Sequence, residues 1–528
     1  MKPSRNKQDW ATSMAGWNDG YVTDVVYTHA SYREATPSWL ATAALLLGSR
    51  PPDLSHPFRY ADLGCGHGLT ATIVAATCPH AEVWGFDFNP AHIENARRLA
   101  SAAGLTNLHF QEASFAELAT RRQSDLGAFD FIVSHGVMSW ISAENRARLV
   151  QIIGAWLRPG GLAYLSYNVT TGWAGMVPVR ALMRLLMQTG QERSDRAAAG
   201  TLDYLDILKE AGANYLNVNP MAAQRLAEMR KQDARYLAHE FLNADWHPLM
   251  FAEVAEAMEA VKCSYIGGAT LAENVDPVSV PPGMASLVAQ ATHSMLRETL
   301  RDFGQAKGFR RDIYRRGVLP MPVAEQVKML DEIKLVWTGR QAEDPIKLAT
   351  PLGEVQGLPE IYGPLMAMLV AGGRTIGAIR QDPTFSKRSV TEVMQAVVLL
   401  MSSSYAQPAL PEAVQSQARA YTDRLNAAIG EINANGGDIG RLASATMGTE
   451  IGADPLETLV IREQLAGRSM QIDGLTDRIL AALTHAGRSV QRDGKPVRDI
   501  DQAQAILCGS LQGIIGQRLP LLTRLGVI

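Results

Sequence analysis

The sequence predicts an α/β fold, a largely parallel sheet covered by helices on both faces. Three observations predict it. Short apolar runs of strand length alternate with helix-length segments from residue 59 to residue 167. The first run is followed by GCGHG, three glycines in five positions, and the last alternation is punctuated by Arg-Pro-Gly-Gly. Strands that alternate with helices of about ten to fifteen residues need crossover connections, which put helices on both faces of a parallel sheet.

The elements follow in order. WLATAALLL (39–47) reads as a helix ahead of the first strand, Arg59–Leu63. The glycine loop leads into a helix from Leu69 to about Ala76, and the second strand covers Glu82–Phe86. Asn89–Pro90 opens the next helix; strands Leu108–Gln111 and Phe129–Ser134 follow, the latter apolar enough for burial on both faces. A helix over Ala143–Leu157 stops at Arg-Pro-Gly-Gly (158–161), because proline and glycine end helices, and Leu162–Tyr167 is the fifth strand.

Past Trp173 the pattern changes. Residues 176–250 carry Ala, Leu, Met and Arg at helical spacing, a helical insertion ahead of the last two strands, CSYIGGATL and FRRDIYRRG. Around 346–370 a short β-hairpin and a helix suggest a small module resembling a winged helix, and the remainder is mostly helical. The expected division is an N-terminal segment and core at 1–175, a helical insertion at 176–250, the last core strands at 251–320, a winged-helix-like module at 321–410 and a helical C-terminal region at 411–528.

At 528 residues the chain exceeds one ordinary core. Its 47% hydrophobic and 20% charged residues are those of a soluble globular protein, and a net charge of −3 gives nucleic acid little support as a partner. Cys65, Cys78, Cys263 and Cys508 form no CxxC pair, so neither a disulfide framework nor a zinc site is expected and a reducing compartment fits. The first 40 residues hold no signal-peptide core, and no run of about 18 apolar residues is uninterrupted. The expectation is a cytoplasmic protein with no membrane-spanning helix.

A glycine-rich turn between strand and helix lets the backbone approach a ligand with no Cβ in the way. Gly64, Gly66 and Gly68 spell GxGxG rather than GxGxxG, and no GK[ST] follows, against a Walker-type phosphate loop. Asp87, about twenty residues beyond the loop at the end of the next strand, can accept hydrogen bonds from both ribose hydroxyls, and Phe88 can cover an adenine face. NAD enzymes share that acidic residue, so the loop and Asp87 leave both nucleotide classes open.

The ordered combination is more specific. DLGCGHG from Asp62, GFDFNPAHIENARRLA, LHFQEASF and LRPGG-LAYLSYN, over about residues 58–170, resemble the class I S-adenosylmethionine (SAM) methyltransferases, whose sheet is Rossmann-like. The resemblance implies a SAM site built from Asp62, Gly64, Cys65, Gly66 and Gly68 along the methionine moiety, Asp87 on the ribose, and Phe88 and Phe115 at the base. His135 and Gly136 complete it, and Ser114 stands where many relatives have an Asp on the adenine amine.

Further blocks, VVYTHASYREATPSWLATAALLLG, SHGVMSWIS, SYNVTTGW, YLAHEFLNADWHP, FRRDIYRRG, LNAAIGEINANGGDIGRLAS and LPLLTRLGV, are similar to bacterial methyltransferases with a methyltransferase regulatory domain. That group includes protein-lysine methyltransferases that modify outer-membrane proteins of rickettsiae. Met138 stands where a tyrosine is expected, and Thr171 where a proline often precedes Gly-Trp. Fold therefore carries over better than substrate.

The SAM methyl group is already activated, so the enzyme chiefly aligns a nucleophile behind it. A lysine acceptor, with an ordinary pKa of about 10.4, must be neutralised at a cost of about 4 kcal/mol near neutral pH. An aromatic channel and the sulfonium charge lower that pKa, which makes a strong base optional. His135 is expected to contact the cofactor or relay a proton, and Tyr167 and the Asn168 carbonyl to accept hydrogen bonds from an attacking amine. Trp140 and Trp173 would wall an acceptor channel with His239 on a loop beside it, and Tyr27 and Tyr32 either fold over the cofactor or pack against a helix. His239-Glu240 and Trp246-His247 do not form HExxH, so no metal is expected. Arg310, Arg311, Arg315 and Arg316 around Asp312 read as a solvated strand edge.

The function that follows is SAM-dependent N-methylation of protein lysines, with a protein as partner and a homodimer compatible. The alternatives are a small-molecule O- or N-methyltransferase of a biosynthetic pathway and a non-catalytic SAM-binding scaffold.

Overall fold

The computed structural model describes residues 20–25, 29–121, 126–188, 193–317, 321–492 and 495–528. Its main sheet contains β1 (Arg59–Leu63), β2 (Glu82–Asp87), β3 (Leu108–Glu112), β4 (Phe129–Ser134), β5 (Leu157–Asn168), β6 (Cys263–Gly268) and β7 (Phe309–Arg316). They lie in the order β3-β2-β1-β4-β5-β7-β6. The first five are parallel, and β7 runs antiparallel between β5 and β6.

Successive strand residues face opposite sides of a sheet, and here both sides are apolar. Tyr60, Val83, Phe131, Val133, Leu162 and Tyr164 pack on one side, and Ala61, Leu63, Ile132, Ala163, Leu165 and Tyr167 on the other. Burial on both faces is what makes these strands continuous apolar runs in the sequence.

The flanking helices are α1 (Pro37–Leu46), α2 (Leu69–Thr77), α3 (Pro90–Ala102), α4 (Phe115–Thr120) and α5 (Ala143–Trp156). Asn89 accepts a hydrogen bond from Ala91 N (2.9 Å) and Pro90 occupies the first turn, which starts α3 where the sequence indicates. Ser142 caps α5 by accepting from Asn145 N (3.2 Å). Arg-Pro-Gly-Gly does not separate helix from strand, as expected, but opens β5 itself. The β4–β5 register shifts between Phe129 and Phe131, where the extra residues enter.

Between β5 and β6 the chain forms α6 (Val177–Gln188), α7 (Ser194–Glu210), α8 (Asn214–Val218), α9 (Pro220–Met229) and α10 (Ala234–Phe241). These helices close over their own apolar cluster, including Met183, Leu202, Leu205, Leu226 and Leu237. Helix α11 (Phe251–Ala260) returns the chain to β6.

The arginine-rich strand is not a solvated edge. As β7 it lies inside the sheet, and Arg310 is 1% exposed. Its guanidinium donates to Asp312 Oδ1 (2.8 Å), Asp302 Oδ1 (2.6 Å) and Glu298 Oε2 (2.9 Å). Adding β6 outside β7 removed the water that a sequence reading assumed, and three carboxylates replace it.

In the C-terminal half, Lys347–Thr350 and Gly353–Gln356 form a hairpin followed by the helix Pro359–Val370. Arg374–Thr375, Lys334–Trp337 and Ala406–Pro408 make a three-stranded sheet. Helices Glu412–Ala434, Pro455–Leu465 and Ile472–His485 dominate the remainder. Against the expectation of no such segment, the continuous helical stretch Ile500–Arg524 is 25 residues long and contains an 18-residue window of mean hydropathy 1.2, enough by length and composition to cross a membrane. It escaped a search for unbroken apolar runs because Gln512, Gln517 and Arg518 interrupt it. Arg518 is ion-paired to Glu457 (2.8 Å).

Arg310→Ala should lower the unfolding free energy by about 3–5 kcal/mol, because it strands three carboxylates inside the protein. Urea unfolding followed by tryptophan fluorescence checks this.

Candidate functional site

Ligands of open parallel sheets sit beyond the carboxyl ends of the strands. A cavity of about 630 Å³ lies there, and its wall begins at the β1–α2 loop. Gly64 N and Cys65 N donate to Phe86 O at 2.8 and 2.9 Å, which folds the loop back onto β2. A Cβ at Gly64, where φ is +83°, would come within 2.5 Å of Val137, so only glycine lets the loop approach the stretch after β4. Gly68 is off the cavity wall and serves packing: a Cβ there would meet the Phe110 ring at 2.4 Å.

Asp87 faces the cavity at the end of β2. Its carboxylate accepts from Gly66 N (2.8 Å) and Asn89 N (2.9 Å), and His92 Nδ1 lies 3.3 Å away. Asp62 sits behind the wall rather than on it. Burial, and then the Asp87 charge, push its carboxyl up to about 7. Cys65 lines the cavity, and burial holds its thiol well above the usual range. Phe88, Ser114 and Phe115 line the side beside Asp87. The Ser114 hydroxyl is engaged in capping α4, donating to Glu117 Oε2 (2.8 Å) while accepting from Glu117 N (3.3 Å).

His135 and Gly136 follow β4 on the wall. His135 Nδ1 is 2.8 Å from the Tyr164 hydroxyl, and the Tyr32 ring stacks on the imidazole at 3.4 Å. Burial, then the Arg311 charge, hold His135 well below the usual imidazole range, so it is neutral at physiological pH. Tyr27 lies outside the described residues.

Only one of the two polar residues ending β5 reaches the cavity. Asn168 lines it; Asn168 N donates to Ser139 Oγ (2.8 Å) and its backbone carbonyl accepts from Leu249 N (2.8 Å). Its side-chain Nδ2 is buried with no partner among the described residues. Tyr167 points to the opposite face, fully buried, and its hydroxyl donates to Asp312 Oδ2 (2.6 Å). Burial, then that carboxylate, push its phenol well above the usual range. Tyr167 is therefore a core donor and is not brought to the cavity, since adjacent strand residues alternate in direction.

Trp140, Trp173, Tyr236, His239, Glu240 and Phe309 also line the cavity. Trp173 donates its indole N–H to Gly308 O (2.7 Å), and the Arg225 guanidinium lies 4.0 Å over its ring. The Trp140 indole donates to Glu240 O (3.4 Å). Burial pushes the His239 imidazole down to about 4 and the Glu240 carboxyl up to about 8. Sequence reasoning missed two contributors. Tyr21 meets Phe88 edge-on at 5.7 Å and lies 5.4 Å from the His239 ring. The sequence offers Glu240 only as a candidate metal ligand beside His239, and among the described residues no group of three or more His, Cys, Asp or Glu is placed to hold a metal ion.

Residues 61–161 match a family model described as a methyltransferase domain, and residues 233–316 one described as a predicted methyltransferase regulatory domain. The uncharacterized protein sll1526 of Synechocystis sp. is 34% identical over 511 residues, 97% of this chain and 99% of its own. A trans-aconitate 2-methyltransferase of Methylobacterium radiotolerans is 32% identical over 38% of this chain and 70% of its own length. The structure of PKMT2 from Rickettsia typhi in complex with AdoHcy superposes with a TM-score of 0.70, at 19% identity, covering 94% of this chain and 99% of that one. At that identity the likeness is one of fold.

Two predictions follow from the placements of Asp62 and Tyr167. The fold raises the Asp62 pKa, so the stability this carboxyl contributes is full at low pH and lost as pH rises through about 7. The melting temperature of the wild type should fall from about pH 5 to about pH 8, and that of Asp62→Asn should fall less. Tyr167→Phe should cost about 1–3 kcal/mol of stability and leave SAM affinity within about twofold, measured by calorimetry.

Proposed function

The chain belongs to the class I SAM-dependent methyltransferases that carry a methyltransferase regulatory domain, and from that premise we propose that it N-methylates lysine side chains of a protein substrate. It is an enzyme, and its cofactor is SAM.

The residues fit that cofactor. Asp87 keeps carboxylate lone pairs free of its two backbone donors for a ribose diol, and Phe88 and Phe115 flank the place of the base. The loop at Gly64–Gly66 brings bare backbone to the wall. The cofactor supplies an activated methyl group; the chain has to exclude water and aim the acceptor.

The observation that carries the lysine reading is the aromatic part of the cavity lining. Trp140, Trp173, Tyr236 and Phe309 belong to it, and such a lining suits a long unbranched side chain. Such walls oppose a charged amine and lower its pKa, offsetting part of the roughly 4 kcal/mol needed to neutralise lysine. Asn168 lines the same cavity, and in this reading it orients the acceptor. The Rickettsia typhi protein bears the name PKMT2, which agrees with this reading. Arg225 and Arg311 on the same wall favour the second reading, a small acidic acceptor.

Enzyme, SAM labelled in its methyl group and a heat-treated extract of the host decide between them. Label in a protease-sensitive fraction that yields methyl-lysine is the expected outcome, and label confined to metabolites rejects it. Asn168→Ala should lower turnover about 100-fold with SAM affinity within about threefold, because misplacing the acceptor costs rate rather than cofactor binding. Unchanged turnover removes Asn168 from the site.

A further inference from the structure

We propose that Glu240 receives the ammonium group of the acceptor and takes its proton before methyl transfer, which makes the site selective for a cationic amine. The inference rests on the amine reading above and adds the residue that enforces it.

Glu240 is the next-to-last residue of α10, brought over the sheet by the helical insertion. Its backbone carbonyl is tied to the Trp140 indole, which fixes the helix end against the stretch after β4. Its carboxyl is on the cavity wall, and among the described residues it has neither a hydrogen bond nor an ion pair. The other charged groups on that wall are engaged. Asp87 holds two backbone N–H groups; Asp245 is 3.1 Å from His247 Nε2. Arg225 donates to Gly172 O (3.0 Å), and Arg311 lies 5.0 Å over the Phe309 ring.

A carboxyl enclosed in this way is costly unless a cation joins it or a proton neutralises it. Burial alone raises it to about 8, and the groups facing it add no positive charge. Those groups are Tyr236, one helical turn earlier on α10, and Tyr21 from the N-terminal segment. Burial and then the nearby acidic groups, Glu240 among them, raise both phenols. Neighbouring His239 is held neutral by burial. The Glu240 carboxylate supplies the counter-charge that lets an ammonium ion enter between these aromatic walls. A carboxylate-bearing acceptor gains no counter-charge from Glu240.

The step balances. The ammonium Nζ passes one proton to the Glu240 carboxylate. The freed lone pair forms the N–C bond to the methyl carbon while the S–C bond breaks and its electron pair stays on sulfur. The product is a methylammonium, and Glu240 returns its proton to water after release.

The test uses the full-length enzyme, labelled SAM and host extract, either native or with its lysines acetylated. Glu240→Gln should bind SAM and AdoHcy within about threefold of wild type by calorimetry and melt within a few degrees of it. Its transfer to lysine should fall about 100- to 1,000-fold near pH 7.5, the scale of a lost general base. The rate should then climb about tenfold per pH unit toward about pH 9.5, as free amine becomes available. Glu240→Asp, which keeps the carboxylate, should recover part of the loss. An AdoHcy affinity reduced more than about tenfold would assign Glu240 to the cofactor and overturn the inference, and so would an unchanged rate or a loss equal at every pH. If the wild type forms no methyl-lysine from native extract, the lysine reading fails, and label on an oxygen acceptor takes the Glu240 inference with it. Methyl-lysine with an indifferent Glu240→Gln sinks the inference alone.

Discussion

One carboxylate ties together the loops that bound the cavity. Asp87 accepts from Gly66 N in the β1–α2 loop and from Asn89 N at the head of α3. Its backbone carbonyl accepts from Ala113 N, just before α4. Three crossover connections are thus referred to a single residue at the end of β2. The arrangement crowds two acids, since Asp62 lies behind Asp87 and is driven toward its protonated form. The glycine loop supplies the space in front of the Asp87 oxygens on the cavity wall.

Strand β5 divides the roles of the site by parity. Tyr164, Ser166 and Asn168 share one face; the first two hold His135 and Gly136, and Asn168 lines the cavity. Tyr167 turns away into the Arg310–Asp312 network. That network is costly to bury and is balanced by three carboxylates around one guanidinium. It fixes β7 against β5, which in turn sets Phe309 opposite Asn168. The chemistry of the cavity face therefore depends on charge satisfaction on the other face.

Much of the core was legible because its signals are local. Strands β1 to β4 appear as apolar runs, α3 announces itself through Asn89-Pro90, and Asp87 falls at the expected offset from Gly64. What was not legible depends on distant partners. Tyr167 and Asn168 are both polar and adjacent, so composition favoured both; period-two alternation was the signal that only one reaches the cleft. Arg310 looked solvated because nothing local reveals that β6 covers β7. Glu240 stands in an amphipathic helix, where a glutamate ordinarily faces water, and only the packing of that helix over the sheet turns it onto the cavity lining. Tyr21 belongs to a segment with no periodicity to read.

The antiparallel position of β7 has a consequence for the order in which the protein is made. Tyr167 and its partner Asp312 are 145 residues apart, and the helical insertion emerges between them. A nascent chain can pair β1 to β5 early, yet the partner of β5 and the aromatic wall at Phe309 do not exist until the ribosome has passed residue 316. Long-range pairing of this kind is slow, and it leaves an open strand edge while translation continues. The growing polypeptide thus completes the loops at the ends of β1 to β4 well before Phe309 closes the cavity they border.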